Sequence, residues 1–253
     1  MNKDQRQETI KDLVKETGKI SVNDLANRLA VTPETIRRDL DELEQVNEIT
    51  RIHGAAIPYS PSEVEMAFNK KMVVNQQAKK DIARQAAMMI KSGDTVAVDI
   101  GTTTMHIGNY VDRLTGVTVI TNSLAAAQTF NNAIEEGRMA GQVIVLPGVT
   151  NPMQASIKGS YTINFLKKFH FDKTFISCGG LLEQAVYDFD MEESLVSSTM
   201  IECSDEAILL VDKSKLHQRT LFEVAGMNQV NAVICDADCP DGWRTYGYSW
   251  YRV

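Results

Sequence analysis

The chain has no run of about twenty apolar residues and no leader of basic, apolar and small-residue character, so neither a membrane span nor a secretory signal is expected. Cysteine is scarce. The four present, at positions 178, 203, 235 and 239, offer no disulfide framework and no metal spacing beyond a single CxxxC, which fits a reduced cytoplasmic protein without a metal or other cofactor. Positive charge is in deficit, with 26 Lys and Arg against 33 Asp and Glu and a formal net charge of -7, which excludes a generic polyanion binder. Proline is sparse as well, 6 in all, yet two of them fall with two serines in IPYSPSEVEM, residues 57–66, the best linker signal in the 253 residues.

Against that acidic background, TPETIRRDLDEL, residues 32–43, sets two arginines side by side in a short helical pattern. Thr32 is a good N-cap, Pro33 suits the first helical position, and Ile36, Leu40 and Leu43 repeat as one buried stripe. At 100 degrees per residue, Arg38 then lies almost opposite the stripe, with Glu34 and Thr35 on the exposed side of the first turn and Asp41 and Glu42 on the next. A solvated helix with Arg37–Asp41 and Arg38–Glu42 pairs is the plain alternative. The flanks decide against it. Ile10, Leu13 and Val14 form a stripe ending at Gly18, a second helix opens at the N-cap Ser21, and the short Ala30-Val31 connection leads into the Thr32 helix. That is helix-turn-helix spacing, in which the last helix presents its first turn to the major groove. EITRIHGAAI, residues 48–57, alternates around Gly54 and reads as a hairpin wing bearing Arg51 and His53. Residues 1–57 hold 9 Lys or Arg against 11 Asp or Glu, so DNA affinity has to come from a local patch and from dimer geometry. Arg38 and Thr35 are the base-edge candidates; Arg37, Arg51 and His53 are the phosphate candidates.

Residues 76–253 have another architecture. QQAKKDIARQAAMMIKSGD reads as an amphipathic helix, and short apolar strands recur at 95–99, 117–120, 142–146, 173–177, 207–211 and 232–236, mostly with helices between them. This predicts a mostly parallel α/β sheet covered on both faces. The strand ends carry the chemistry: Asp99 followed by IGTTT, TNS at 121–123, PG at 147–148, CGG at 178–180 and DKSK at 212–215. Glycines and hydroxyls on one rim of a parallel sheet, one group of them opening a helix, make a cradle for a phosphate, to which Lys213 or Lys215 could add charge.

The run SVNDLANRLAVTPETIRRDLDELE with TRIHGAA, followed by DxGTT, TNS, FxxxGG and LLxDKSK, resembles the DeoR family of bacterial transcriptional regulators over essentially the whole chain. The resemblance implies a winged helix-turn-helix on double-stranded operator DNA, with Ser21, Thr32, Glu34, Thr35, Arg37, Arg38, Arg51 and His53 at the interface. It also implies an effector domain similar in fold to ribose-5-phosphate isomerase. A phosphorylated sugar or related metabolite would be held there by Asp99, Gly101, Thr102, Thr103, Thr104, Asn122, Ser123, Gly179, Gly180 and Lys213. Four positions depart from the pattern. Asn47 stands where a glycine turn is common, and Ala55 replaces the second glycine of the wing, where a positive φ would be strained. Ser197 and Ser198 stand where many members carry a basic pair.

The expected organisation is a DNA-binding domain at 1–57, a linker at 58–75 and an effector domain at 76–253, working as a homodimer or higher homo-oligomer. The function expected is a repressor of a carbohydrate-utilisation operon. The enzyme alternative, a sugar-phosphate isomerase or deaminase with an added DNA-binding domain, needs a positioned acid and base. Asp99, His106, Asp188 and Glu192 have the right chemistry, but no spacing forces two of them together.

Overall fold

The computed structural model describes residues 2–45, 48–52, 54–58 and 65–253. The chain forms two compact units, Met1–Val64 and Glu65–Val253.

In the first unit each helix begins and ends where its local chemistry dictates. Helix α1 (Lys3–Thr17) is capped by Asn2, whose carboxamide accepts from the Gln5 amide at 2.8 Å, and it stops at Gly18 with φ of 70°. Strand β1 (Ile20–Ser21) leads into α2 (Val22–Leu29), where Ser21 Oγ accepts from the Asp24 amide, and Ala30 leaves the helix in the left-handed region. Thr32 Oγ1 accepts from the Thr35 amide at 3.3 Å and opens α3 (Pro33–Gln45). Strands β2 (Ile49–Ile52) and β3 (Ala55–Pro58) form the wing hairpin, and β1 pairs antiparallel with the far edge of β3. The turn is carried by Gly54, with φ of 79°; Ala55 lies in regular strand pairing and is buried, so the missing second glycine costs the wing nothing. Ile10, Val14, Leu25, Ile36, Leu40 and Ile49 close the core.

In the second unit α4 (Phe68–Val73) and α5 (Gln76–Ala87) precede β4 (Thr95–Val98). There follow β5 (Leu114–Thr121), α6 (Leu124–Glu135), β6 (Met139–Val145), the hairpin β7 (Val149–Asn151) and β8 (Ser156–Lys158), and α7 (Ser160–Leu166). The chain continues through β9 (Phe171–Ile176), β10 (Gly180–Leu181), β11 (Ala185–Asp188), α8 (Met191–Glu202) and β12 (Ser204–Val211). It ends with β13 (Phe222–Gly226), β14 (Ala232–Cys235) and β15 (Ser249–Arg252). Seven strands make one wholly parallel sheet in the order β15-β14-β12-β9-β4-β5-β6, and β10, β11 and β13 make a small antiparallel one. Side chains alternate between two cores as a doubly covered sheet requires: Val96 and Val98 pack with α5 and α6, while Ala97 packs with α8. The six strands expected from sequence are all in this sheet, and the aromatic tail supplies the seventh at its edge.

The GTTT stretch opens a helix, as expected, in the form of a six-residue 3-10 helix, Thr104–Asn109. One segment differs from expectation. Within 58–75, expected as linker, residues 59–64 lie outside those described, whereas Phe68–Val73 is helical because Phe68 is buried and its amide donates to Met153 O at 2.8 Å. Among the described residues no helix is long and apolar enough to cross a membrane, and all four cysteines are free.

Candidate functional site

On α3 the apolar stripe faces inward, and Arg37 and Arg38 are exposed. The carboxylates around them are already engaged, but not as the plain surface-helix alternative has it. Arg37 pairs with Glu34 at 3.0 Å, one turn back. Glu42 is taken by Lys3 at 2.5 Å and by Gln7 at 2.8 Å, both on α1, and these donors hold its carboxyl below the usual range. Asp41 is taken by Arg51 of the wing. Arg38 makes no hydrogen bond or ion pair among the described residues, and it borders a shallow depression with Thr35 and Lys3. An arginine left free on the first exposed turns of such a helix can fork onto a guanine edge or a phosphate. Ser21 and Thr32 spend their side chains on caps, while the wing's Arg51 is bound to Asp41; His53 lies outside the described residues.

Sequence reasoning missed one residue here. Asp39, on α3 itself, is 2% exposed and accepts from the Arg6 guanidinium through both oxygens, at 2.5 and 3.0 Å. The pair locks α1 to α3. An aspartate one step off the apolar stripe, with an arginine 33 residues upstream, leaves no local signal of this.

The second unit holds a cavity at the carboxyl ends of β4, β9 and β12. Its place follows from topology. From β4 the chain adds β5 and β6 on one side of the sheet, then returns to add β9, β12, β14 and β15 on the other, so the strand order reverses between β4 and β9. The connections from the two strands leave on opposite faces and open a crevice between them. Ile100–Thr103 form one wall and Ser177–Gly179 another. Gly101 has φ of 152°, and a β-carbon there would collide with the Ser177 side chain, so only glycine lets the two loops meet.

Three lysines and three acids line this cavity: Lys71, Lys79 and Lys215 with Glu65, Asp188 and Asp212. Lys79 is 5% exposed and donates to the Lys71 carbonyl; burial, reinforced by Lys215 and Lys71 and opposed by Asp212, lowers it to about 8. Lys71 pairs with Glu65 at 2.6 Å. Asp212 accepts from Asn75 at 2.9 Å and from Ser214. Burial pushes Asp188 and the Cys178 thiol upward. A concave wall of glycine loops with one buried and two half-buried lysines suits a small anion bearing hydroxyls.

The residues expected at the effector site divide in two. Gly101, Thr102, Thr103 and Gly179 line the cavity. Asp99, Thr104, Asn122 and Ser123 are buried and do not line it: Thr104 Oγ1 donates to Asp99 O at 2.8 Å, Ser123 caps α6, and the Asn122 carboxamide has no partner among the described residues. Gly180 lies in β10. Lys213 is exposed, away from the cavity, because the short turn capped by Asp212 presents Lys215 to it instead. Lys71 and Lys79 went unread because charges on short helices look like solvated faces. Of the acid and base candidates only Asp188 reaches the cavity; Glu192 is exposed, and His106 is buried at hydrogen-bonding distance from Asn109.

With this geometry in place, comparison with known proteins is informative. The DeoR-like helix-turn-helix domain matches residues 6–61, and the DeoR C terminal sensor domain matches residues 74–237. An HTH-type transcriptional regulator of Staphylococcus epidermidis is 43% identical over 213 residues, 84% of each chain. The glycerol-3-phosphate regulon repressor of Escherichia coli is 31% identical over 242 residues, 95% of this chain and 93% of that one. Among solved structures, ribose 5-phosphate isomerase A of Methanocaldococcus jannaschii is 18% identical with a TM-score of 0.39, over 56% of this chain and 55% of that one.

Proposed function

The chain belongs to the DeoR family of transcriptional regulators, and from that premise we propose that it represses a carbohydrate-utilisation operon in the cytoplasm and is released by a phosphorylated sugar or polyol. DNA is read by α3, with Arg38 and Thr35 at base edges and Arg37 on a phosphate; Ser21, Thr32, Glu34, Arg51 and His53 frame that contact. Two copies set two such helices on paired half-sites, which supplies the affinity that a unit so poor in positive charge lacks. In the second unit the effector's anionic group meets Lys71, Lys79, Lys215 and the amides of Gly101–Thr103, and its hydroxyls meet Asp188 and Asp212. One observation carries this reading: three lysines converge on a glycine-loop cavity at the sheet's switch point.

The effector is bound and returned unchanged, as befits a repressor, and it switches DNA binding only through unequal affinity for the two conformations. The experiment is a thermal-shift screen of the full chain with phosphorylated sugars and polyols at fixed ionic strength, followed by chromatography of the recovered ligand. A phosphorylated ligand should stabilise the wild type and not Thr103→Glu. Isomerised ligand at a normal enzymatic rate would favour the enzyme alternative instead, and stabilisation that survives Thr103→Glu would remove the Gly101–Thr103 loop from the site.

A further inference from the structure

One of the cavity's three acids comes from the segment ahead of α4. Glu65 is the first described residue after the chain that joins the two units, and its side chain, 16% exposed, ion-pairs Lys71 inside the cavity at 2.6 Å. The segment around it is docked: the Met66 carbonyl accepts from Gln154 Nε2 at 3.2 Å, and the Phe68 amide donates to Met153 O. The carboxylate is poorly accommodated there. Burial raises its pKa against the pull of Lys71, and Asp188 and Asp190 add repulsion. A carboxylate on a cavity lysine makes the same contact that an anionic ligand would make.

Resting on the anion-cavity reading above, we propose that Glu65 is a built-in competitor of the effector: it neutralises Lys71 while the cavity is empty of ligand, and an anionic effector displaces it and frees the strap Glu65–Ala67. The consequence is direct. The strap is covalently continuous with the chain leading to the DNA-binding unit, so its release is a change that the DNA-binding unit can sense. A competing internal ligand lowers apparent affinity by the fraction of molecules in which the site is open. Removing it should therefore tighten anion binding by about tenfold.

The test uses the full chain, with inorganic phosphate as probe and chloride at matched ionic strength as control. Wild type, Glu65→Gln and Lys215→Met are titrated by thermal shift, and hydrogen exchange is followed in the peptide containing Phe68. Phosphate should bind Glu65→Gln about tenfold more tightly than wild type, and it should speed exchange at Phe68 in the wild type, whereas in Glu65→Gln that exchange is fast from the start. Equal phosphate affinity in the two proteins, or a Phe68 amide that phosphate leaves unchanged or slows, overturns the competitor while the cavity reading stands, provided Lys215→Met loses binding. Phosphate stabilisation undiminished in Lys215→Met, or absent from wild type and Glu65→Gln alike, overturns the cavity reading and the competitor with it.

Discussion

Replacing Arg6 by methionine asks whether the recognition helix is held by an ion pair as well as by its apolar stripe. Methionine keeps most of the aliphatic stem, so the loss is confined to the guanidinium. In the folded unit both Asp39 oxygens accept from that group, and the Asp39 side chain is 3% exposed against 14% for Arg6. Leaving a buried carboxylate without its cation costs ~3–5 kcal/mol in well-shielded pairs. Water reaches the Arg6 side, and screening reduces the expected loss to about 2 kcal/mol. For a unit of this size, whose whole stability is about 3–10 kcal/mol, that is a large share. Hydrogen exchange on the full chain reports it: α3 amides should exchange ~30-fold faster in Arg6→Met, with the parallel sheet unchanged. Adding Asp39→Asn should restore part of the protection, because a neutral amide is cheaper to leave unpaired, and the two changes should couple by more than ~0.5 kcal/mol. If the α3 amides of Arg6→Met stay within about twofold of wild type, the pair does not hold the helix and the reasoning fails.

Arg38→Ala should cost ~1–3 kcal/mol on a duplex selected for tight binding while leaving α3 exchange unaltered; an equal loss on random DNA would make Arg38 a phosphate contact. Lys79 gives a pH dependence whose sign is fixed by its lowered pKa of about 8. An anion favours the charged lysine, so phosphate affinity should be steady below about pH 8 once phosphate's own ionisation is allowed for, and fall above it. Calorimetric titrations at pH 7 and 9 check this, and a wild type whose affinity holds at pH 9, or a Lys79→Gln variant that keeps the decline, would remove Lys79 from the anion's contacts.

How much of this was legible depends on the range of the interaction. Helix α3 was readable because a Thr-Pro start and the Ile36, Leu40, Leu43 stripe are local signals, and the wing was readable because Gly54 marks its turn. The strands were readable as apolar runs, but their order was not, since parallel pairing across dozens of residues leaves no mark on either strand; the switch point between β4 and β9 therefore had to come from the structure. The same limit hid Arg6 with Asp39. Glu65 and α4 were hidden differently: the prolines and serines at 58–62 read as a linker, yet nothing local says that the residues from Glu65 onward fold back onto Met153 and Gln154. Lys213 and Lys215 were indistinguishable as residue types, and a three-residue turn separated them.

Asp99 shows why a perturbed acid at the edge of such a cavity need not be a catalyst. Its carboxyl is 1% exposed, with Oδ2 accepting from Ser197 at 2.6 Å, and burial above all raises its pKa to about 8, with Asp188 and Glu193 adding to the shift. A value near 8 would suit a general base if the carboxylate met a substrate. It does not line the cavity, so the shift reports depth. Depth has an electrostatic consequence of its own. Burial favours the protonated form of Asp99 and pushes Asp188 and Glu193 in the same direction. Asp99 behind the cavity therefore carries less negative charge than an aspartate in water, while Lys71, Lys79 and Lys215 line the cavity itself. A protonated acid behind the cavity would not repel an anion bound in it. An ionised one would oppose the ligand through a low-dielectric interior, where charges interact several times more strongly than in water. Ser197 fits this arrangement: a hydroxyl donates one hydrogen bond to Asp99 without the positive charge that would draw its proton away.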